Sequence, residues 1–128
     1  MNAYMNVVRS YKRNDIDTSS PLRLVVLLYD GAIRFFQLSE KAYSEGDANK
    51  ARMYILRAEK IILELLGSLN FEAGGEIAEN LADLYRFIIG HCAEINETNY
   101  QEIIGANCKI LTGLREAWSQ LEREPNPE

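Results

Sequence analysis

The run from Thr18 to Phe36, TSSPLRLVVLLYDGAIRFF, constrains the fold more than any other part of the chain. It opens with hydroxyl side chains able to cap free N–H groups, and its proline has a φ suited to the first helical turn. A helix between a core and water shows one apolar stripe and one polar face. Here Leu22, Leu24, Val25, Val26, Leu27 and Leu28 leave almost no polar face before Asp30 and Gly31. Either this helix is central, or something else covers its far side.

Composition bounds the rest. A chain of 128 residues forms one domain and is long enough to bury a proper core. With 47% apolar and 26% charged residues it is globular in character. A net charge of −5 and the absence of a Lys/Arg run argue against nucleic acid as a partner. No apolar run approaches the roughly 18 residues of a membrane span, and Met1-Asn2-Ala3-Tyr4 does not read as a secretory signal. Cys92 and Cys108 form neither a disulfide framework nor a zinc spacing. The expectation is a soluble protein of a reducing, cytoplasmic compartment.

Glycine, proline and capping residues then divide the chain. One helix is expected from about Pro21 to Ser44, ended by Gly46 and followed by the capping residue Asp47. A second is expected over Ala48 to Leu69. The glycine-rich stretch Asn70 to Gly75 reads as a break, with a third helix over Glu76 to Asn96. The fourth runs from Tyr100 to Arg123, with Asn99 and Glu102 forming a capping box. Residues 1–17 read as a helical cap segment and linker, and 124–128 as a frayed tail. Short connections between similar helices imply an all-α, antiparallel up-and-down four-helix bundle in a single domain over 1–128.

Apolar stripes support the bundle. Helix two offers Ala51, Ile55, Ala58, Ile62, Leu65 and Leu69. Helix three offers Ile77, Leu81, Leu84, Ile88, Cys92 and Ile95, and helix four Ile104, Leu111, Leu114, Trp118 and Leu121. There is also surplus. Helix four carries an adjacent row, Ile103, Ala106, Ile110, Gly113 and Ala117, and helix one adds Leu24, Gly31, Phe35, Leu38 and Ala42 beside Val25, Leu28, Ala32, Phe36 and Tyr43. A wide apolar face is ordinary in a globular bundle, and a groove for a partner is the alternative. Interior glycines at Gly31, Gly90, Gly105 and Gly113 each cost about 1 kcal/mol against alanine. Tight packing or a groove would offset that cost.

Catalytic and metal chemistry find little support. His91, the sole histidine, has isoleucine three residues before it, so no Glu-x-x-His di-iron pair exists. Neither cysteine has a second histidine as its activating base, and Gly74-Gly75 is not a phosphate loop. No cofactor, metal or small-molecule substrate is expected. His91 reads as a partly buried helix residue. Its functional alternative is a phosphoryl-accepting histidine, because histidine phosphotransfer modules are also four-helix bundles. Near the N-terminus, Tyr4, Val8 and Tyr11 fall on one face of a short helix that would dock on the bundle, as a fixed cap or as a displaceable plug.

The run Thr18-Ser19-Ser20-Pro21 followed by Leu28-Tyr29-Asp30-Gly31-Ala32-Ile33-Arg34-Phe35 resembles the first helix of the flagellin-specific export chaperone family, FliS. Gly74-Gly75-Glu76-Ile77-Ala78-Glu79-Asn80-Leu81, with Leu84-Tyr85, resembles that family's second signature. Leu111, Leu114, Arg115, Glu116, Ala117 and Trp118 resemble its closing pattern. The resemblance implies a non-enzymatic bundle that binds the disordered C-terminal segment of flagellin, blocks its polymerisation and delivers it to the export gate of the flagellar type III apparatus. It implies a flagellin-binding groove near Tyr29, Gly31, Ile33, Ile77, Asn80 and Leu81, each of which can instead be core. It also implies gate docking and groove covering by Tyr4, Val8 and Tyr11. The free protein is expected to be a monomer or a weak homodimer.

Overall fold

A computed structural model describes residues 19–124, with the side chains of residues 19–21 excepted. Four helices follow one another: α1 (Ser19–Ser44), α2 (Ala48–Gly67), α3 (Phe71–Cys92) and α4 (Tyr100–Arg123). No strand occurs among the described residues. The N-terminal cap segment with Tyr4, Val8 and Tyr11, and the tail at 125–128, lie outside the described residues.

Helix ends follow local chemistry. Gly46 at φ 80° lets the chain turn back after α1. Its N–H donates to the Tyr43 carbonyl at 3.0 Å and the Asp47 N–H to the Ala42 carbonyl at 2.9 Å. This is the paired hydrogen-bond pattern of a left-handed helix stop. Asp47 then caps α2, accepting from the Lys50 N–H at 3.0 Å. The structure departs from expectation around α3. Asn70 accepts from the Ala73 N–H at 2.9 Å and starts a helical turn at Phe71, five residues early. Gly75, at φ 50° and ψ −125°, interrupts the helix after that turn. The glycine pair is therefore a kink inside a helix, and α3 closes at Cys92 instead of Asn96. The expected capping box at Asn99 does not form. Its amide is used in the loop instead, accepting from the Asn96 N–H at 2.7 Å and donating to the Glu94 carbonyl at 2.8 Å.

Contacts between helices fix the antiparallel arrangement. Phe35 stacks on Tyr54 and Gly31 faces Ile61, so α1 and α2 run in opposite directions. Tyr43 stacks on Tyr100 at 4.9 Å and Asp30 pairs with Arg115 at 2.7 Å, which does the same for α1 and α4. Helix α1 packs on α2 and α4, α3 also lies between those two, and α1 and α3 are diagonal.

The inward rows are regular. Helix α1 buries Leu22, Val26, Tyr29, Ala32, Phe36 and Ser39, and α2 buries Ala51, Ile55, Ala58, Ile62 and Leu65. Helix α3 buries Ala78, Leu81, Tyr85, Ile88 and Cys92, and α4 buries Ile104, Asn107, Leu111, Leu114, Trp118 and Leu121. Steps of three and four keep each row on one face. Full burial of each large aliphatic side chain contributes about 1.5–3 kcal/mol.

The helices are not evenly spaced. Helix α1 approaches α2 most closely, whereas α3 makes few close backbone approaches to α2 and fewest to α4. A methyl group placed on Gly31 would lie 3.2 Å from Ile61 Cδ1, so the closeness of α1 and α2 depends on that position having no side chain. Gly31→Leu is expected to destabilise the protein by about 1–3 kcal/mol through overpacking. Urea denaturation checks this as a lower midpoint with an unchanged slope.

Candidate functional site

Which edge of each helix faces which neighbour follows from the contacts above. On α1, residues one place before the inward row, such as Gly31, Phe35 and Leu28, face α2. On the antiparallel α2 the offset reverses. Tyr54 and Ile61 face α1, while Glu59, one place after Ala58, lies close enough to Cys92 to act on its thiol. The same reversal holds on α4, where Arg115 and Cys108 face α1. The other edge of α4, with Ile103, Ile110, Gly113 and Ala117, therefore faces α3. Helix α3 runs in the direction of α1, so Ile77, Asn80, Leu84 and Phe87, one place before its inward row, face α4.

Two seams flank α3, and both carry apolar surface that the bundle does not cover. On the α4 side, Phe87 is 49% exposed, and Ile77, Leu84, Ile103 and Ile110 are half-buried. On the α2 side, Leu56 is 51% and Leu63 52% exposed, with half-buried Leu66 and Ile89 nearby. Because α3 makes few close backbone approaches to either neighbour, these side chains form uncovered apolar strips along its two seams. Along the opposite seam, α1 on α2, Ile61 packs against Gly31 and Phe35 stacks on Tyr54, with Arg57 5.9 Å from each ring, and a small depression lined by Leu38, Lys41, Ala42, Glu45, Lys50 and Tyr54 lies towards its end.

The residues named for the groove from sequence separate. Tyr29 and Leu81 are fully buried at 0% exposure, which fits the core alternative left open for them. The reason is their place on the inward rows of α1 and α3. Gly31 is half-buried in the tight α1–α2 seam, and Ile33 is half-buried on the α4 side of α1. Ile77, half-buried, and Asn80, exposed, share the α3 edge facing α4. Phe87, Leu56 and Leu63 were not singled out by sequence reasoning. Their spacing from core residues is helical, and only the placement of neighbouring helices shows that they face outward.

Beneath the seams lies a buried polar junction. The hydroxyls of Tyr29 and Tyr85 are hydrogen-bonded to each other, and Trp118 Nε1–H donates to the Tyr29 hydroxyl at 3.3 Å. Burial holds the Tyr29 hydroxyl well above the ordinary tyrosine range, and those hydrogen bonds offset part of the rise. Burial, then the Glu59 charge, pushes the Cys92 thiol up to about 12. Burial and Glu40 push Cys108 up to about 11. Both are protonated thiols of low nucleophilicity at neutral pH. On the rim, Arg115 donates to Asp30 at 2.7 Å and to Glu116 at 2.9 Å, and these bonds hold its guanidinium above its usual range. His91 is half-buried, with its ring 4.2 Å from that of Phe87 and its Nδ1 unpaired among the described residues. An imidazole tucked against a phenyl ring is poorly presented to a phosphoryl donor. Among the described residues no three His, Cys, Asp or Glu side chains cluster to hold a metal ion, and no helix is long and apolar enough to cross a membrane.

Fold and surface together define a class: a four-helix bundle that leaves large apolar side chains exposed, Leu24 and Leu27 on α1 as well as Leu56, Leu63 and Phe87 beside α3. Within that class the chain belongs to the family described as Flagellar protein FliS, which it matches over residues 4–125. It is similar to the flagellar secretion chaperone FliS of Campylobacter jejuni, 30% identical over 112 residues that cover 88% of each chain. The chaperone of the same name from Vibrio cholerae is 28% identical, covering 91% of this chain and 89% of its own. That of Bacillus subtilis is 25% identical, covering 92% and 87%.

Unfolding returns the buried thiols towards their ordinary value of 9.0. Above about pH 9 the unfolded chain therefore binds fewer protons than the folded one, and stability falls as pH rises. Cys92→Ala is expected to make that decline shallower, by ~2 kcal/mol near pH 10.5. Urea midpoints measured from pH 7 upward check it against the unsubstituted chain.

Proposed function

We propose that this protein is a cytosolic flagellar export chaperone that binds the disordered C-terminal segment of flagellin and delivers it to the export gate. Membership of the FliS family supports an export chaperone role, and the relatives carry the name flagellar secretion chaperone. The observation that supports the binding reading is the uncovered apolar surface along both sides of α3, where Leu56, Leu63 and Phe87 are each about half exposed. An amphipathic helix that is disordered when free can lay its apolar face against such a surface. Ordering that segment costs it some 2–5 kcal/mol or more, so a large wrapped surface is needed and release remains accessible. Within this reading, Ile77, Asn80, Leu84 and Phe87 of α3 and Ile103 and Ile110 of α4 contact the cargo. Gly31 and Ile33 remain secondary candidates.

Tyr4, Val8 and Tyr11 are assigned in the same proposal to covering that surface in the free chaperone and to docking at the gate. The free protein is a monomer or weak homodimer, which light scattering reads directly.

Calorimetry with the C-terminal segment of the organism's own flagellin tests the central point. Phe87→Ser removes an exposed ring without opening the core and is expected to weaken binding roughly tenfold, with an unchanged melting temperature. His91→Gln is expected to leave binding intact. Loss of biological function in His91→Gln with binding preserved would instead favour phosphotransfer. Tyr11→Ala should impair secretion more than binding, and normal secretion in that variant would remove Tyr11 from gate docking.

A further inference from the structure

Helix α3 is attached to the bundle differently from the other three. It stands furthest from its neighbours, with few backbone approaches to α2, fewest to α4 and none to the diagonal α1. At its N-terminal end Gly75 takes φ 50° and ψ −125°, which breaks the helix after one capped turn, and nothing lies within 4 Å of where its side chain would be. At its other end the loop to α4 is braced by Asn96, which accepts from the Thr98 and Asn99 N–H groups, and by Asn99. Midway, its Tyr85 hydroxyl reaches across the core to Tyr29, which also accepts from Trp118. At its last residue, Cys92 is met by Asn107 Nδ2 at 3.9 Å and by Glu59, while Asn107 Oδ1 has no hydrogen-bond partner among the described residues.

We infer that the part of α3 beyond Gly75 opens as a unit from a bundle whose other three helices stay folded together, with Gly75 as hinge and the Tyr29–Tyr85–Trp118 junction as latch. Regions of low local contact density open sub-globally at free energies below that of global unfolding. A hinge is a short backbone position able to absorb a large dihedral change, which a glycine already at positive φ can do. The latch includes the Tyr29–Tyr85 hydroxyl pair and the Trp118 Nε1–H bond to Tyr29, so its strength is of the order of a few buried hydrogen bonds. The opening is a property of the free chain. Only its use, opening both seams beside α3 to a cargo helix, rests on the chaperone reading.

The protein carries its own reporters. Cys92 lies on α3 and is 1% exposed, whereas Cys108 lies on α4. Labelling the native full chain with a thiol reagent in the absence of denaturant is expected to modify Cys92 through an opening faster than global unfolding. Amide exchange in the same samples is expected to show α3 less protected than the central turns of α1 and α2. Tyr85→Phe, which removes the latch hydroxyl and keeps the ring, is expected to raise the Cys92 labelling rate about fivefold, the equivalent of ~1 kcal/mol, while Cys108 labelling is unchanged. Cys92 labelling only at the global unfolding rate, or α3 amides exchanging in step with those of α1, would overturn the inference. So would an equal acceleration of both cysteines in Tyr85→Phe. Flagellin binding enters none of these readouts, so they stand or fall apart from the proposed function.

Discussion

The spacing of the helices is set by what lies between them, and here the determining contact is Gly31 against Ile61. With no side chain at Gly31, α1 can lie close to α2, and Ala51 and Ala58 on the inward row of α2 keep that half of the core thin. Interhelical distance follows the size of the contacting side chains, over about 8–10 Å. The other half of the core must then be filled by Leu81, Tyr85 and Ile88 of α3 and Leu111, Leu114 and Trp118 of α4. These long side chains reach inward and leave α3 standing off at its edges. A bundle with alanine and glycine distributed evenly over its four seams would have four equal grooves, all shallow.

The polar groups in the interior act within that geometry. Three ring systems from three helices meet at the Tyr29 hydroxyl, and a sliding of α3 by one residue would part Tyr85 from it. Unpairing buried hydroxyls costs more than their pairing gains, so such a junction discriminates against wrong registers more than it adds to stability. Asn107 and Ser39 are fully buried and each leaves an oxygen without a partner among the described residues. Each exacts a desolvation cost from the same helices that hold the core together. The half-exposed Asp30–Arg115 pair on the rim adds little to stability, of order 0–1 kcal/mol, but joins α1 to α4 on the side away from α3.

Much of this was legible in the residues. The rows of α2 and α4 came directly from steps of three and four, and Gly46 with Asp47 announced a helix end and a start because each acts through its own backbone or side chain. On α1 the inward row runs through Leu22, Val26 and Tyr29, one place off the expected Val25 and Leu28, and four polar or amphipathic core positions were missed for a different reason. Tyr29, Ser39, Tyr85 and Asn107 are polar or amphipathic, and apolar periodicity counts such residues as gaps even when they are fully buried. The start of α3 was missed because Asn70 caps a turn that the glycine pair seemed to forbid. Asn99 had two uses for its amide, and tertiary closure of the loop decided between them. The exposed apolar positions were the least legible part. An outward leucine such as Leu56 and an inward one such as Leu65 differ in sequence only by a few positions, and their roles diverge only once α3 is placed.

The glycines bear on the same question. Had close packing offset the cost of every glycine inside the helices, each would touch a neighbour, as Gly31 does. Gly90 on α3 and Gly105 on α4 instead have nothing within 4 Å of a would-be side chain. Packing among the described residues therefore does not account for them. Two helices lose local stability at exposed positions while the apolar strip between those same helices is left uncovered. Both features lower the cost of separating α3 from α4 and leave surface on which another backbone can approach. A bundle selected for rigidity would have alanine at those sites and shorter side chains across the core from Tyr29. This one concentrates its tight packing on α1 and α2, which leaves α3 as the element on which a partner can act.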